Sequence, residues 1–170
     1  MFLGIDPGQT GGIVALDLNG QIVGLERFDG QDLLSVVDSF LHMYEVKAVA
    51  IESVHAMPGQ GVVSMFTFGV GFGKLQGFLL GKGVAPILYT PQSWKKILPP
   101  AATPKEAAKA FCLIRWGLDK FIVPGCRVPH SGAIDAACIA EFARQVAMGE
   151  RLAPNPPKKI PRRQPIKLTG

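Results

Sequence analysis

MFLGIDPGQTGGIVALDLNGQIVGLERF, residues 1–28, holds three apolar runs separated by two turn signals. FLGID (residues 2–6) is a short strand that stops on a carboxylate, Asp6, and Pro7-Gly8 turns the chain at once. GIVALDLNGQIVGLERF (residues 12–28) reads as two more strands joined at Asn19-Gly20, the strongest two-residue hairpin signal. Together they predict a three-stranded antiparallel meander. Asp is depleted in strands because its short side chain competes for the backbone, so Asp6 at the end of an apolar strand calls for a chemical reason.

Beyond residue 28 the pattern changes period. QDLLSVVDSFLHMY places Leu33, Leu34, Val37, Phe40 and Leu41 at helical spacing, with Asp29 or Asp32 near its start. VKAVAIES is a nearly continuous apolar strand of the kind buried on both faces of a parallel sheet, and it too ends on a carboxylate, Glu52. HAMPGQG is a loop, followed by an apolar helix carrying Gly69, Gly71, Gly73 and Gly77. Glycine weakens a helix interior, so several together need compensation from close packing in the core or from a backbone that approaches a partner. VAPILYT is a strand and PQSWKKIL a turn or short helix. Thr103-Pro104-Lys105-Glu106 is a capping box with proline at the first helical position. A last helix starts near Ser131 and carries Asp135 in its first turns. The order β-β-β-α-β-α-β-α-α predicts an α/β domain with a mixed five-stranded sheet, three strands antiparallel and two parallel, flanked by helices on both faces.

A chain of 170 residues with 48% hydrophobic content favours one domain with one core, placed at residues 1–148. The net charge of +5 comes from residues 151–170, which hold six of the 18 basic residues and no acid. With five prolines as well, residues 149–170 read as an extended basic tail suited to phosphate backbones or to solubility. Three irregularly spaced cysteines argue against a disulfide framework and for a reducing compartment. Cys126, His130 and Cys138 lack the fourth ligand and the spacing of a zinc site. No secretory signal is recognisable and no window reads as long and apolar enough for a bilayer. The expectation is a protein of the cytoplasm or an organellar matrix with no membrane partner.

Asp6 and Glu52 end strands that the topology makes parallel neighbours, so both carboxylates arrive at one sheet edge. Taken singly, Asp6 starts a turn, Glu52 is a solvated strand end and Asp135 is favoured by the helix dipole. Taken together they repel unless a cation lies between them. Mg²⁺ suits such oxygen ligands, and two ions about 4 Å apart can activate water and stabilise a leaving oxygen in phosphodiester hydrolysis.

At these residues the chain resembles the RNase H-like superfamily, and more narrowly the RuvC-type Holliday junction resolvases with their phage and organellar relatives. The resemblance runs over residues 1–148 and is carried by GIDPGQTGGIVALD, VAIESVHAMPGQGVVSMFTFGVGFGKLQGFL, TPQSWKK and HSGAIDAACIAEFAR, in that order. It implies a homodimeric endonuclease that nicks four-way DNA symmetrically, using two Mg²⁺ or Mn²⁺ ions per site. Asp6, Glu52 and Asp135 match three of the family's metal-site acids. The fourth position falls on His130, Ser131 and Gly132, with no acid, which leaves His130 as ligand or proton carrier and Ser131 as a helix cap. That departure also raises a second reading, a junction-binding protein that has lost cleavage. By the same resemblance His55, Met57 and Gln60 touch DNA at the branch point. Lys74, Gln92, Ser93, Lys95, Lys96 and Lys105 are phosphate-contact candidates, and Gly69 and Gly73 face a two-fold partner. Trp94 reads as an amphipathic anchor. Other branched DNA or RNA-DNA hybrids are alternative substrates. IDPGQTGG also resembles the phosphate loop of actin-like ATPases, but those need a second such domain and loop, for which the chain has no repeat of the motif.

Overall fold

Three apolar runs become β1 (Phe2–Asp6), β2 (Thr10–Leu16) and β3 (Ile22–Asp29), paired antiparallel as expected. The computed structural model describes residues 1–29, 32–53 and 61–154. The β2–β3 connection differs in detail from a two-residue hairpin. The Asp17 carbonyl accepts the Gly20 N–H at 3.1 Å, so Leu18 and Asn19 form the corner and Gly20 alone takes a positive φ, 75°. Then come α1 (Leu33–Met43), β4 (Ala48–Glu52), α2 (Val62–Gly81), β5 (Ile87–Tyr89), the four-residue α3 (Pro91–Trp94), α4 (Pro104–Trp116) and α5 (Ser131–Ala147). Single 3₁₀ turns follow α3 and α4. The sheet order is β3-β2-β1-β4-β5, with β4 parallel to β1 and to β5. Thr103 caps α4 through the expected reciprocal box with Glu106.

Strand alternation sorts the core into two layers. Leu3, Ile5, Ile13, Ala15, Val49 and Ile51 pack with α1 and with Leu75 and Leu79 of α2. Val14, Leu16, Ala50 and Tyr89 face the other way, onto Trp94, α4 and α5. Glu52 follows Ala50 by two residues and so emerges on the α5 face; Asp6 follows Gly4 in the same way.

Close backbone contact seats α5 on that face. A Cβ on Gly4 would fall 2.1 Å from the Ala136 carbonyl oxygen, and one on Gly132 would fall 2.6 Å from the Thr10 carbonyl oxygen. Side chains at these positions would lift α5 off β1 and β2. At the other end Arg144, 7% exposed, is bidentate to Glu141 and to Glu150 and donates to the Leu18 carbonyl at 3.3 Å. Trp116 and Arg115 of α4 donate to Gly20 and Asn19 of the same hairpin at 2.8 and 2.9 Å. After α5 the chain turns at Gly149, and Glu150 and Arg151 bond back to Gln145; residues 155–170, the rest of the tail, lie outside the described residues.

One expectation is corrected by α2. Its 20 residues reach a mean hydropathy of 1.3 and are long and apolar enough to cross a membrane, by length and composition only. Interspersed glycines and the single Lys74 hid this in the sequence, where the segment reads as broken. The helix nonetheless has a core side, Leu75 and Leu79, with Phe72 and Phe78 packed beside them. Its opposite side carries Gly69, Gly73 and Gly77, where an added Cβ would meet nothing within 4 Å, together with Val62 and Phe66, 84% and 74% exposed.

Candidate active site

A single row across the sheet builds the site. Ile5 lies beside Ile51, so the next residues, Asp6 and Glu52, end adjacent parallel strands on the face that carries α5. In the same row Asp6 is opposite Gly12, Gly12 opposite Arg27, and Glu52 opposite Tyr89. Gly12 has no room for a side chain beneath Gly132 and Ala133, which brings the first turn of α5, and with it Asp135, down toward Asp6. Pro7-Gly8 turns the chain away and lets the Gly8 N–H donate to Asp6 Oδ1 at 3.0 Å. Glu52 Oε1 accepts from Trp94 Nε1 at 3.0 Å.

These carboxylates feel one another. Asp6 is pushed up to about 7, first by burial and then by the charges of Asp135 and Glu52, against the pull of the Gly8 N–H and Lys95. Burial and the Glu52 charge hold Asp135 up at about 6, with Lys95 and Lys105 opposing. Two acids kept partly protonated near neutrality by burial and each other's proximity are a hard-oxygen donor set short of positive charge, and a divalent cation suits it. Among the described residues no three His, Cys, Asp or Glu side chains already stand close enough to grip an ion. Holding an ion would require these carboxylates to stand closer together than they do.

The remaining predicted residues divide. Lys95 and Lys105 lie within electrostatic reach of the carboxylates, while Gln92, Ser93 and Lys96 share the α3 turn that holds Lys95. Ser93 is tied to Thr90 by a hydroxyl pair at 2.9 Å, and Ser93 and Lys96 line a groove with Phe142 and Arg151. Lys74 is exposed on α2, in the layer opposite α5. His55, Met57 and Gln60 lie outside the described residues. His130, not Ser131, caps α5: its Nδ1 accepts the Ala133 N–H at 3.2 Å. Burial and the nearby Arg27 guanidinium lower its pKa, so the ring is neutral with its proton on Nε2. Cys138 is buried against Cys112, sulfur to sulfur 3.8 Å, far from any zinc-like arrangement.

No protein-family model matches the chain, and no curated protein does. Solved structures do match. RuvC of Thermus thermophilus, in complex with a Holliday junction substrate, aligns with a TM-score of 0.63 at 22% identity over 86% of this chain and 95% of that one. The chain has the RuvC fold. A second structure of Thermus RuvC gives 0.62 at 22% identity over the same shares, 86% and 95%. The fowlpox virus resolvase, solved with substrate Holliday junction DNA, gives 0.51 at 10% identity over 85% and 99%. Set in the RuvC fold, the three acids stand at the carboxyl ends of the two central parallel strands and on the helix that covers them.

Reading the sequence missed Trp94. Beyond an amphipathic anchor, it is a core residue, 1% exposed, bonded to Glu52 and carrying the Lys95 ammonium 5.1 Å from its ring centroid. The available signal was chemical: a buried indole N–H needs an acceptor, and the strand beside α3 offers a carboxylate.

Proposed function

We propose that the chain is a metal-dependent, structure-selective endonuclease that resolves four-way DNA junctions by paired phosphodiester hydrolysis. The observation that carries this reading is the placement of Asp6 and Glu52 at the ends of adjacent parallel strands, on the face covered by the helix that bears Asp135. The place of these acids in the RuvC fold supports the choice of substrate, because both Thermus RuvC and the fowlpox resolvase were solved with junction DNA.

Asp6 and Glu52 would flank a pair of Mg²⁺ or Mn²⁺ ions and Asp135 would hold the ion on the nucleophile side. Such ions polarise the phosphate and acidify the attacking water. Asp6 and Asp135, held partly protonated by burial, would have to give up those protons to hold a cation, which would tie occupancy to pH. Lys95 and Lys105 draw the phosphate toward the acids and offset the charge it brings. With Nδ1 committed to the helix cap, His130 serves as a donor through Nε2–H toward a phosphate or departing oxygen. The exposed α2 face, glycines flanked by Val62 and Phe66, supports a two-fold partner that would set two sites across one junction.

A second reading, a junction-binding protein without cleavage, is favoured by the absence of an acid at 130–132 and by the use of the His130 lone pair in the cap. One experiment separates them: immobile and mobile four-way junctions beside duplex, flap and hybrid controls, in Mg²⁺ and Mn²⁺, with Asp6→Asn as comparison. Symmetric nicks lost in the variant establish the resolvase. Tight junction binding with no nicks establishes the second reading, and cutting confined to a control replaces the substrate.

A further inference from the structure

The chain's two tryptophans are both buried, yet they spend their N–H groups differently. Trp116 donates to a neutral backbone carbonyl, that of Gly20, at 2.8 Å. Trp94 donates to the Glu52 carboxylate at 3.0 Å. A hydrogen bond to an ionised acceptor is the stronger kind and fixes the acceptor's orientation. It also occupies one lone pair of one oxygen, leaving the carboxylate able to accept more.

Trp94 is itself firmly placed. Thr90 stands at the N-cap position of the short α3 without a side-chain cap bond, and the Trp94 backbone N–H reaches the Thr90 carbonyl at 3.3 Å. The Ser53 N–H donates to the Tyr89 carbonyl at 2.8 Å, extending the β4–β5 pairing past Glu52 itself. The ring is packed into the α5-side core with Tyr89 and Phe142. Its face lies under the Lys95 ammonium, 5.1 Å from the centroid, an attraction that strengthens where water is excluded. One rigid ring therefore touches an acid at its edge and a cation on its face.

We propose that Trp94 is a positioning residue of the site: its edge aims Glu52 at the bound ion while its face seats Lys95 for the phosphate, so one buried ring sets both contacts. This rests on the metal-dependent reading above and adds a residue to it. Groups that orient metal ligands from behind are worth roughly 10–100-fold in metal affinity.

The test is Trp94→Phe, which keeps an aromatic ring in the core and removes the N–H donor together with the five-membered part of the indole. Mg²⁺ binding, read by calorimetry on the full chain, should weaken by roughly 10-fold. The wild-type emission spectrum minus that of the variant isolates Trp94. Mg²⁺ should change that component, and Glu52→Gln should abolish the change. An unaltered Mg²⁺ midpoint in Trp94→Phe, with Trp94 emission silent to Mg²⁺, overturns the inference and leaves the nuclease reading standing. Absence of Mg²⁺ binding by the wild type removes both. Should Trp94→Phe fail to fold by circular dichroism, total tryptophan emission of wild type against Glu52→Gln decides: an Mg²⁺ response present only in the wild type supports the inference, and none in either overturns it.

Discussion

Gly4 of β1 and Ala136 of α5 are in backbone contact, with 2.1 Å between the Ala136 oxygen and the place a Gly4 Cβ would take. Asp6 lies two residues after Gly4, and Asp135 one before Ala136. The distance between the two acids is therefore governed by the lack of a side chain at a neighbouring position, not by anything the acids do themselves.

Gly4→Ala follows directly. The added methyl meets backbone atoms that cannot rotate aside, so α5 must retreat. Overpacking of this kind costs about 1–3 kcal/mol. The expected outcome is a lower melting temperature together with loss of nicking, measured on the same preparation; full activity at unchanged stability would contradict the close approach.

Asp6→Asn should stabilise the metal-free protein while abolishing cleavage. The native carboxyl sits at about 7 against an ordinary 3.8, so between those values the folded chain binds more protons than the unfolded one. Stability from this group is complete below pH 3.8 and is lost as the pH rises through about 7. Asp135 adds the same sign between 3.8 and about 6. Melting curves in EDTA from pH 5 to 8, a range chosen to span these titrations to order of magnitude, should fall for the wild type and flatten for Asp6→Asn. Each kcal/mol recovered near pH 8 raises the melting temperature by about 2–4 °C.

Lys95→Ala and Lys105→Ala should weaken junction binding and make it less sensitive to salt. Removing one lysine that neutralises a phosphate reduces the slope of log K against log salt by about 0.9. Fluorescence anisotropy of a labelled junction in EDTA, at several salt concentrations, measures it. An unchanged slope for both variants would remove these lysines from the interface.

Gly73 tests the outer face of α2. A Cβ there meets nothing in the single chain, so Gly73→Ala should stabilise a monomer by up to about 1 kcal/mol through helix propensity. A bulky Gly73→Leu should instead separate a two-fold pair. Sedimentation of wild type and Gly73→Leu distinguishes the two situations: a dimer converted to monomer supports the paired arrangement, and a wild-type monomer excludes it.

Much of this is readable in the sequence, for physical reasons. Asp6 and Glu52 stand out because both charges end apolar strands that the topology makes neighbours, and Thr103 with Glu106 because capping is a local matter of spacing. The contributions of Gly4, Gly12 and Gly132 are hidden, since a glycine that admits a neighbouring backbone looks in sequence like any turn or strand glycine. His130 is hidden too. Its capping role depends on a ring rotamer, and serine next to it is the commoner cap. Trp94 is misjudged because the partner of its N–H lies 42 residues away, and only the β4–β5 pairing brings it near.

α5 is fastened at both ends, by Gly132 on the sheet and by Arg144 on the tip of the β2–β3 hairpin, about 18 Å apart at 1.5 Å per residue. A beam pinned in this way cannot slide along the surface it crosses. The hairpin tip, remote from the acids, is thereby tied mechanically to the helix that carries Asp135.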